Sequence, residues 1–201
     1  MKPIFEYIIS KSAKIYKITA ENSEQLKNIV KQEIEKLGEN CDLNHIDVSQ
    51  VEYFSFTFKL SKFNGDISRW NMSNAKELRS VFCGAINFNC DLGNWDLSKC
   101  TCLNHAFAAA PKFEGKGLEK WDVSNVIDFI HAFSSCRSFN RDISNWQINQ
   151  NVRDMSSMFE RCEIFCQDLS SWQIPKYCYT EDMFKNCPIA RRQKLKPKHY
   201  T

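Results

Sequence analysis

Apolar residues recur along residues 41–187 in two alternating patterns. The first is L-x-x-L-x-L: Leu43, Ile46, Val48; Ile67, Trp70, Met72; Leu92, Trp95, Leu97; Leu118, Trp121, Val123; Ile143, Trp146, Ile148; and Leu169, Trp172, Ile174. The five tryptophans stand 25, 26, 25 and 26 residues apart. A fixed period of that length marks stacked repeats, each too short to bury its own apolar face. The second pattern is a one-sided stripe at helical spacing: Ala75, Leu78, Val81, Phe82, Ala85, then Cys100 to Ala110, Val126 to Cys136 and Val152 to Cys162. Asn74, Asn125 and Asn151 open three of these stripes and suit helix N-caps. Each unit therefore reads as strand, tight turn, helix of about two to three turns and return loop. The loop carries a second phenylalanine (Phe63, Phe88, Phe113, Phe139, Phe165), and Asp66, Asp91, Asp142 or Asp168 then holds a turn through backbone N–H groups. In the third unit Gly115 and Gly117 permit a different path.

The ends depart from the period. Asn22 with Gln25 resembles a capping box, Leu26, Ile29, Val30, Ile34 and Leu37 follow at helical spacing, and Gly38 stops the helix. Ile4–Ile9 and Ile15–Ile18 precede it as a hairpin or as one strand plus an arm. The expected organisation is an N-terminal cap over residues 1–40, repeats over 41–187 and a basic tail over 188–201. Of the net charge of +3, Arg191, Arg192, Lys194, Lys196 and Lys198 contribute +5, which leaves residues 1–187 at −2. No apolar run is long enough for a membrane helix, and no secretory signal is recognised, so a cytoplasmic location is expected. Cysteines fall on repeat positions (Cys136, Cys162, Cys187) where other units carry alanine, and no C-x-x-C occurs. They read as reduced, buried, apolar thiols with neither metal nor disulfides.

The unit quoted by Trp121-Asp122-Val123-Ser124-Asn125-Val126, by Asp154-Met155-Ser156-Ser157-Met158-Phe159-Glu160-Arg161-Cys162 and by Phe139-Asn140-Arg141-Asp142-Ile143-Ser144-Asn145-Trp146 resembles the BspA-like leucine-rich repeat family of bacterial proteins. The resemblance covers roughly residues 20–187. It implies an α/β solenoid, a right-handed array of about six strand–helix units with a parallel sheet on the concave side. It also implies a curved interaction surface without enzymatic activity or cofactor.

In such a solenoid the polar strand positions point out of the concave sheet. Asp47, Arg69, Asn71, Asp96, Glu119, Lys120, Asp122, Gln147 and Gln173 are the candidate binding residues. Position five alone forms an acidic stripe fading into amides. It would face a basic partner surface, or it simply solvates the sheet. His105 and His131 share one position in adjacent units and should stack as surface histidines rather than as a metal pair. The expected function is protein binding by a chain that is monomeric without its partner, sharpest as an immunity protein occluding a toxin. The alternatives are a surface or host-directed adhesin and nucleic-acid contact through the basic tail, which more often behaves as a solvated terminus.

Overall fold

The computed structural model describes residues 17–198 and Tyr200. The Ile4–Ile9 stretch lies outside the described residues, and of Ile15–Ile18 only the end is seen. The first strand, β1 (Ile18–Thr19), pairs in parallel with β2 (Ile46–Asp47), in the register Ile18 to Ile46. Between them runs α1 (Ser23–Leu37). Asn22 Oδ1 accepts from the N–H groups of Glu24 and Gln25, both at 3.1 Å, and Gly38 closes the helix at φ 90° by donating to Ile34 O. Leu26 and Val30 are buried as expected, but Leu37 is half exposed. Glu33 takes a buried place instead, because His45 Nε2 of the first coil meets its carboxylate at 2.9 Å.

From residue 48 to residue 187 the chain is a repetitive array of turns rather than of strands and α-helices. Over the L-x-x-L-x-L runs the expected strand forms only at β2. Elsewhere each tryptophan N–H closes a three-residue turn onto the first apolar residue of its run, as from Trp95 to Leu92 O at 3.1 Å. The helices expected after each run are absent. In residues 78–84 the N–H groups of Leu78, Ser80, Phe82 and Gly84 donate to Cys102, Asn104, Ala106 and Ala108 of the next coil, at 2.7–3.0 Å. The intervening amides of Val81, Cys83 and Ala85 close turns onto Leu78, Ser80 and Phe82. A helix would direct every one of these donors along its own axis. Here half of them tie coil to coil, and the same pattern repeats from residues 103, 129 and 155.

Left-handed residues enforce this geometry. Ser80, His105, His131, Ser157 and Asp182 have φ of 51–55°, and four residues on Ala109, Ser135, Arg161 and Asn186 have φ of 56–62°. Two reversals per coil stop right-handed helix propagation. The turns nevertheless bring Leu78, Val81, Phe82 and Ala85 to one side, which is why their spacing imitates a helix. Asn74 and Asn125 cap no helix; their Nδ2 groups donate to Ser49 O and Ser98 O of the preceding coil. Parallel bridges link Tyr53, Glu77, Cys102, Asp128, Asp154 and Tyr179 in one row across the coils.

Aromatic files fill the interior. Trp70, Trp95 and Trp121 stack at 6.4 Å with planes within 3°, and Trp146 stacks on Trp172 at 6.1 Å. Every indole Nε1 donates to the carbonyl opening the previous coil's run: Leu43, Ile67, Leu92, Leu118 and Ile143. A second file runs Phe58, Phe82, Phe107, Phe133, Phe159, Phe184 at 5.2–5.8 Å, and a third runs through Phe63, Phe88, Phe113, Phe139 and Phe165. These files form one continuous core from Ala20 to Ile189.

The stretch expected as a basic tail is packed against the last coil. It forms short 3-10 helices at Pro188–Arg191 and Gln193–Leu195. Ile189 is fully buried, Leu169 N–H donates to Leu195 O, Gln173 bridges Lys198, and the Tyr200 ring lies 5.1 Å from Phe184. Its charged side chains stand outward over an apolar underside.

Candidate interaction surfaces

The candidate residues lie along a flank of the array, beside the indole file, and most of their side chains are engaged locally. Asn71, Asp96 and Asp122 accept through Oδ1 from the backbone N–H of Ser73, Ser98 and Ser124, at 2.9–3.2 Å. Asp47 does the same to Ser49 and also meets Lys17 Nζ at 2.7 Å. Gln147 and Gln173 donate to carbonyls two residues back. Arg69 is paired with Asp42 at 3.1 Å, and Glu119 faces Arg141 at 3.7 Å, beyond hydrogen-bond reach. Lys120 is exposed. The stripe is therefore a column of turn-forming side chains whose outer edges remain accessible.

Asp66, Asp91, Asp142 and Asp168 hold the expected turns, each accepting from the N–H two residues on at 2.8–3.0 Å. Hydrogen bonds from Ser68 and Ser144 backbones, and from Ser98 and Ser170, hold Asp66, Asp142, Asp96 and Asp168 below the usual carboxylate range. A lowered folded-state value stabilises the fold above the unfolded value near pH 4 and loses that contribution as pH falls through the folded value. The urea midpoint should therefore drop between pH 7 and pH 2.5. Asp96→Asn with Asp142→Asn should flatten that drop, since an amide oxygen accepts the same N–H without titrating. An unchanged pH dependence in the double variant would remove these turns from the account.

All ten cysteines are free thiols. Cys136, Cys162 and Cys187 donate from Sγ to Phe107 O, Phe133 O and Phe165 O at 2.9–3.3 Å. Burial pushes Cys100 and Cys187 up to about 12, and raises Cys136 and Cys162 as well. Such thiols are packing groups, not nucleophiles.

A different face separates itself on composition. It is built by residues 53–60, 77–84, 102–109, 128–135, 154–161 and 179–186, where the coil-to-coil hydrogen bonds run. The Tyr53 position reads Tyr53, Glu77, Cys102, Asp128, Asp154, Tyr179, and the Ser55 position reads Ser55, Arg79, Asn104, Ile130, Ser156, Glu181. A polar chain crosses its middle. Cys102 Sγ lies 3.7 Å and Asn104 Nδ2 3.0 Å from Asp128 Oδ2, and His105 Nδ1 lies 2.6 Å from Asn104 Oδ1. The His105 and His131 rings are neighbours as expected, 4.6 Å apart, but tilted by 37° rather than stacked. Burial, then the neighbouring His131, lowers the His105 pKa, while burial and the Asp128 charge raise Cys102 to about 11. That thiol is held protonated, and His105 bonds Asn104 rather than the sulfur, so the pair is not arranged as a nucleophile and base. Among the described residues no cluster of three or more His, Cys, Asp or Glu could hold a metal ion.

Sequence reasoning passed over the first coil of this face. Tyr53, Phe56 and Leu60 are 51%, 43% and 74% exposed. The signal was present: residues 51–61 carry the stripe of residues 75–85 one period earlier, with phenylalanine and leucine in places that later coils give to small or polar residues. A shallow trough of about 490 Å³ lies elsewhere, lined by Lys62, Asn64, Asn87, Asn89, Lys112 and Glu114. Its asparagines tie coils together: Asn64 and Asn89 accept from Asn89 and Glu114 N–H, and Lys112 reaches Asn87 at 2.8 Å.

These features define a stacked array of aromatic-filled coils with one chemically varied face. The chain belongs to the DUF285 family of Mycoplasma proteins of unknown function, whose model matches it twice, over residues 1–116 and 81–196. Two overlapping matches on one chain accord with a repeated unit. No curated protein and no solved structure matches it.

Proposed function

We propose that the protein is a non-catalytic protein-binding array that uses this varied face. One observation carries the reading. Coils of one array share the same folding constraints, so exposed positions dictated by the fold should repeat, as Asp66, Asp91, Asp142 and Asp168 do. On the varied face, whose middle coil buries Cys102 and Asn104, the accessible equivalent positions differ in charge, size and polarity from coil to coil, which stacking does not require. The motif's likeness to BspA-like leucine-rich repeats supports an interaction role and a right-handed, curved solenoid, from which turns in place of helices are this chain's departure. An inhibitor that occludes a toxin is the sharpest form of the function, acting in the cytoplasm over about 1,600 Å² of interface.

The test is affinity capture from the native cell with matched variants. Ile130→Glu with His131→Asn, central to the face and compatible with a left-handed residue, should reduce the captured partner about tenfold or more. Asp96→Lys with Asp122→Lys on the flank should retain it. Capture unaffected by the face variant and lost with the flank variant would move the interface to the turn column. A toxin among the captured proteins would give the inhibitor form, whereas a host surface protein would give an adhesin.

A further inference from the structure

We propose that the first coil anchors the partner: Tyr53, Phe56 and Leu60, flanked by Lys27 and Lys59, receive an acidic segment of another protein that sets an apolar side chain between carboxylates. This rests on the protein-binding reading and names the chemistry of its partner.

Phe56 and Leu60 occupy the two left-handed positions of their coil, at φ 65° and 58°. In later coils the same positions hold Ser80, His105, His131, Ser157 and Asp182, and Gly84, Ala109, Ser135, Arg161 and Asn186. Small and polar residues dominate both rows, as a left-handed backbone favours. A bulky apolar side chain there is unfavourable twice, through its backbone and through its exposed area. Among the described residues neither penalty is fully offset, since Phe56 remains 43% and Leu60 74% exposed. The next coil makes room for the arrangement. A Cβ on Gly84 would stand 2.5 Å from Leu60 Cδ2.

The charges beside the patch give the partner its sign. Lys27 Nζ from α1 and Lys59 Nζ from the coil lie 5.6 Å and 5.1 Å from the Phe56 ring centre. The neighbouring cations are already matched, Lys76 with Glu52 at 2.8 Å and Arg79 with Glu77 at 3.2 Å. Among the described residues neither Lys27 nor Lys59 has such a partner. Two ammonium groups on one exposed ring therefore present an apolar centre with a cationic rim. Its complement is an aliphatic or aromatic side chain bracketed by aspartate or glutamate. An aromatic anchor of this kind is where interface energy concentrates.

The probe is a phage-displayed library of random linear peptides panned on the immobilised full-length chain. Selected peptides should carry an apolar residue flanked by acidic ones. Phe56→Ser with Leu60→Asn, which installs residues that later coils use at these positions, should weaken them about tenfold or more. Lys27→Glu with Lys59→Glu should turn the selection towards lysine and arginine. Absence of any enriched motif, or an acidic motif indifferent to both double variants, overturns the proposal. Peptides weakened by Ile130→Glu with His131→Asn but not by the first-coil variants overturn it while leaving the face as a protein-binding surface. Peptides that no face variant weakens overturn both readings.

Discussion

Replacing Trp121 by alanine should destabilise the protein by about 3–5 kcal/mol, the range for removing a large aromatic side chain from a packed interior. Trp121 is 4% exposed, stacks on Trp95 at 6.4 Å and lies 6.1 Å from Phe107. Its indole N–H also reaches Leu92 O at 3.0 Å, so alanine removes both ring contact and one of the two donors to a buried carbonyl. Trp121→Phe separates the two contributions. It keeps most of the apolar volume and removes one of two donors from that carbonyl, which still accepts Trp95 N–H, at a cost of about 0.5–1.5 kcal/mol. Because coils are stabilised by their neighbours, loss of a middle rung weakens the coupling between the two halves. The urea transition of Trp121→Ala should therefore broaden as well as shift. A midpoint within error of the parent would mean that the indole file does not hold the coils together.

Gly117→Ala should cost about 3 kcal/mol, more than a left-handed glycine alone explains. Gly117 has φ 87°, and a Cβ built there would stand 2.2 Å from Gly93 N and 2.4 Å from Gly93 Cα. Those are backbone atoms of a turn already held by Asp91, whose Oδ1 accepts Gly93 N–H at 2.9 Å. Neither side can yield without breaking that turn or the bond from Leu92 N–H to Lys116 O. Gly38→Ala is the control. Its backbone, at φ 90° and ψ 168°, also favours glycine, but a Cβ there would meet nothing within 4 Å, so only the conformational cost of about 1–3 kcal/mol applies. For a chain of 201 residues the first variant should melt about 6–12 °C lower and the second about half as far. Equal shifts would remove the close approach from the explanation.

The interior was legible in the sequence because its period survives any local conformation. Tryptophans 25 or 26 residues apart had to stack if the coils were equivalent, and Trp70, Trp95 and Trp121 do so in one run and Trp146 and Trp172 in another. The aspartate turns and the cysteine positions followed from the same register. The path between rungs was not legible. Leu78, Val81, Phe82 and Ala85 satisfy a helix and a train of three-residue turns equally, since both return to one side about every three to four residues. What decides between them is the left-handed backbone at residues such as Ser80, His105 and Ala109, and none of these side chains announces it. The C-terminal end misled through charge. Five basic residues hid Pro197 and Tyr200, which with Ile189 turn that stretch into a cover for the last coil. On the flank, acidic character suggested recognition where Asp96 and Asp122 also form turns. Phe56 and Leu60 were visible in the sequence but lay in the unit without a tryptophan, where the stripe was not traced.

Buried indoles join the coils, and hydrogen exchange of the tryptophan side-chain N–H groups reads that directly. In the 15N-labelled protein the five indole N–H signals should be resolved and should persist in D2O like amides of the core, because each is bonded to the preceding coil at 2.8–3.2 Å. Indole signals that vanish within the dead time while core amides remain protected would contradict it.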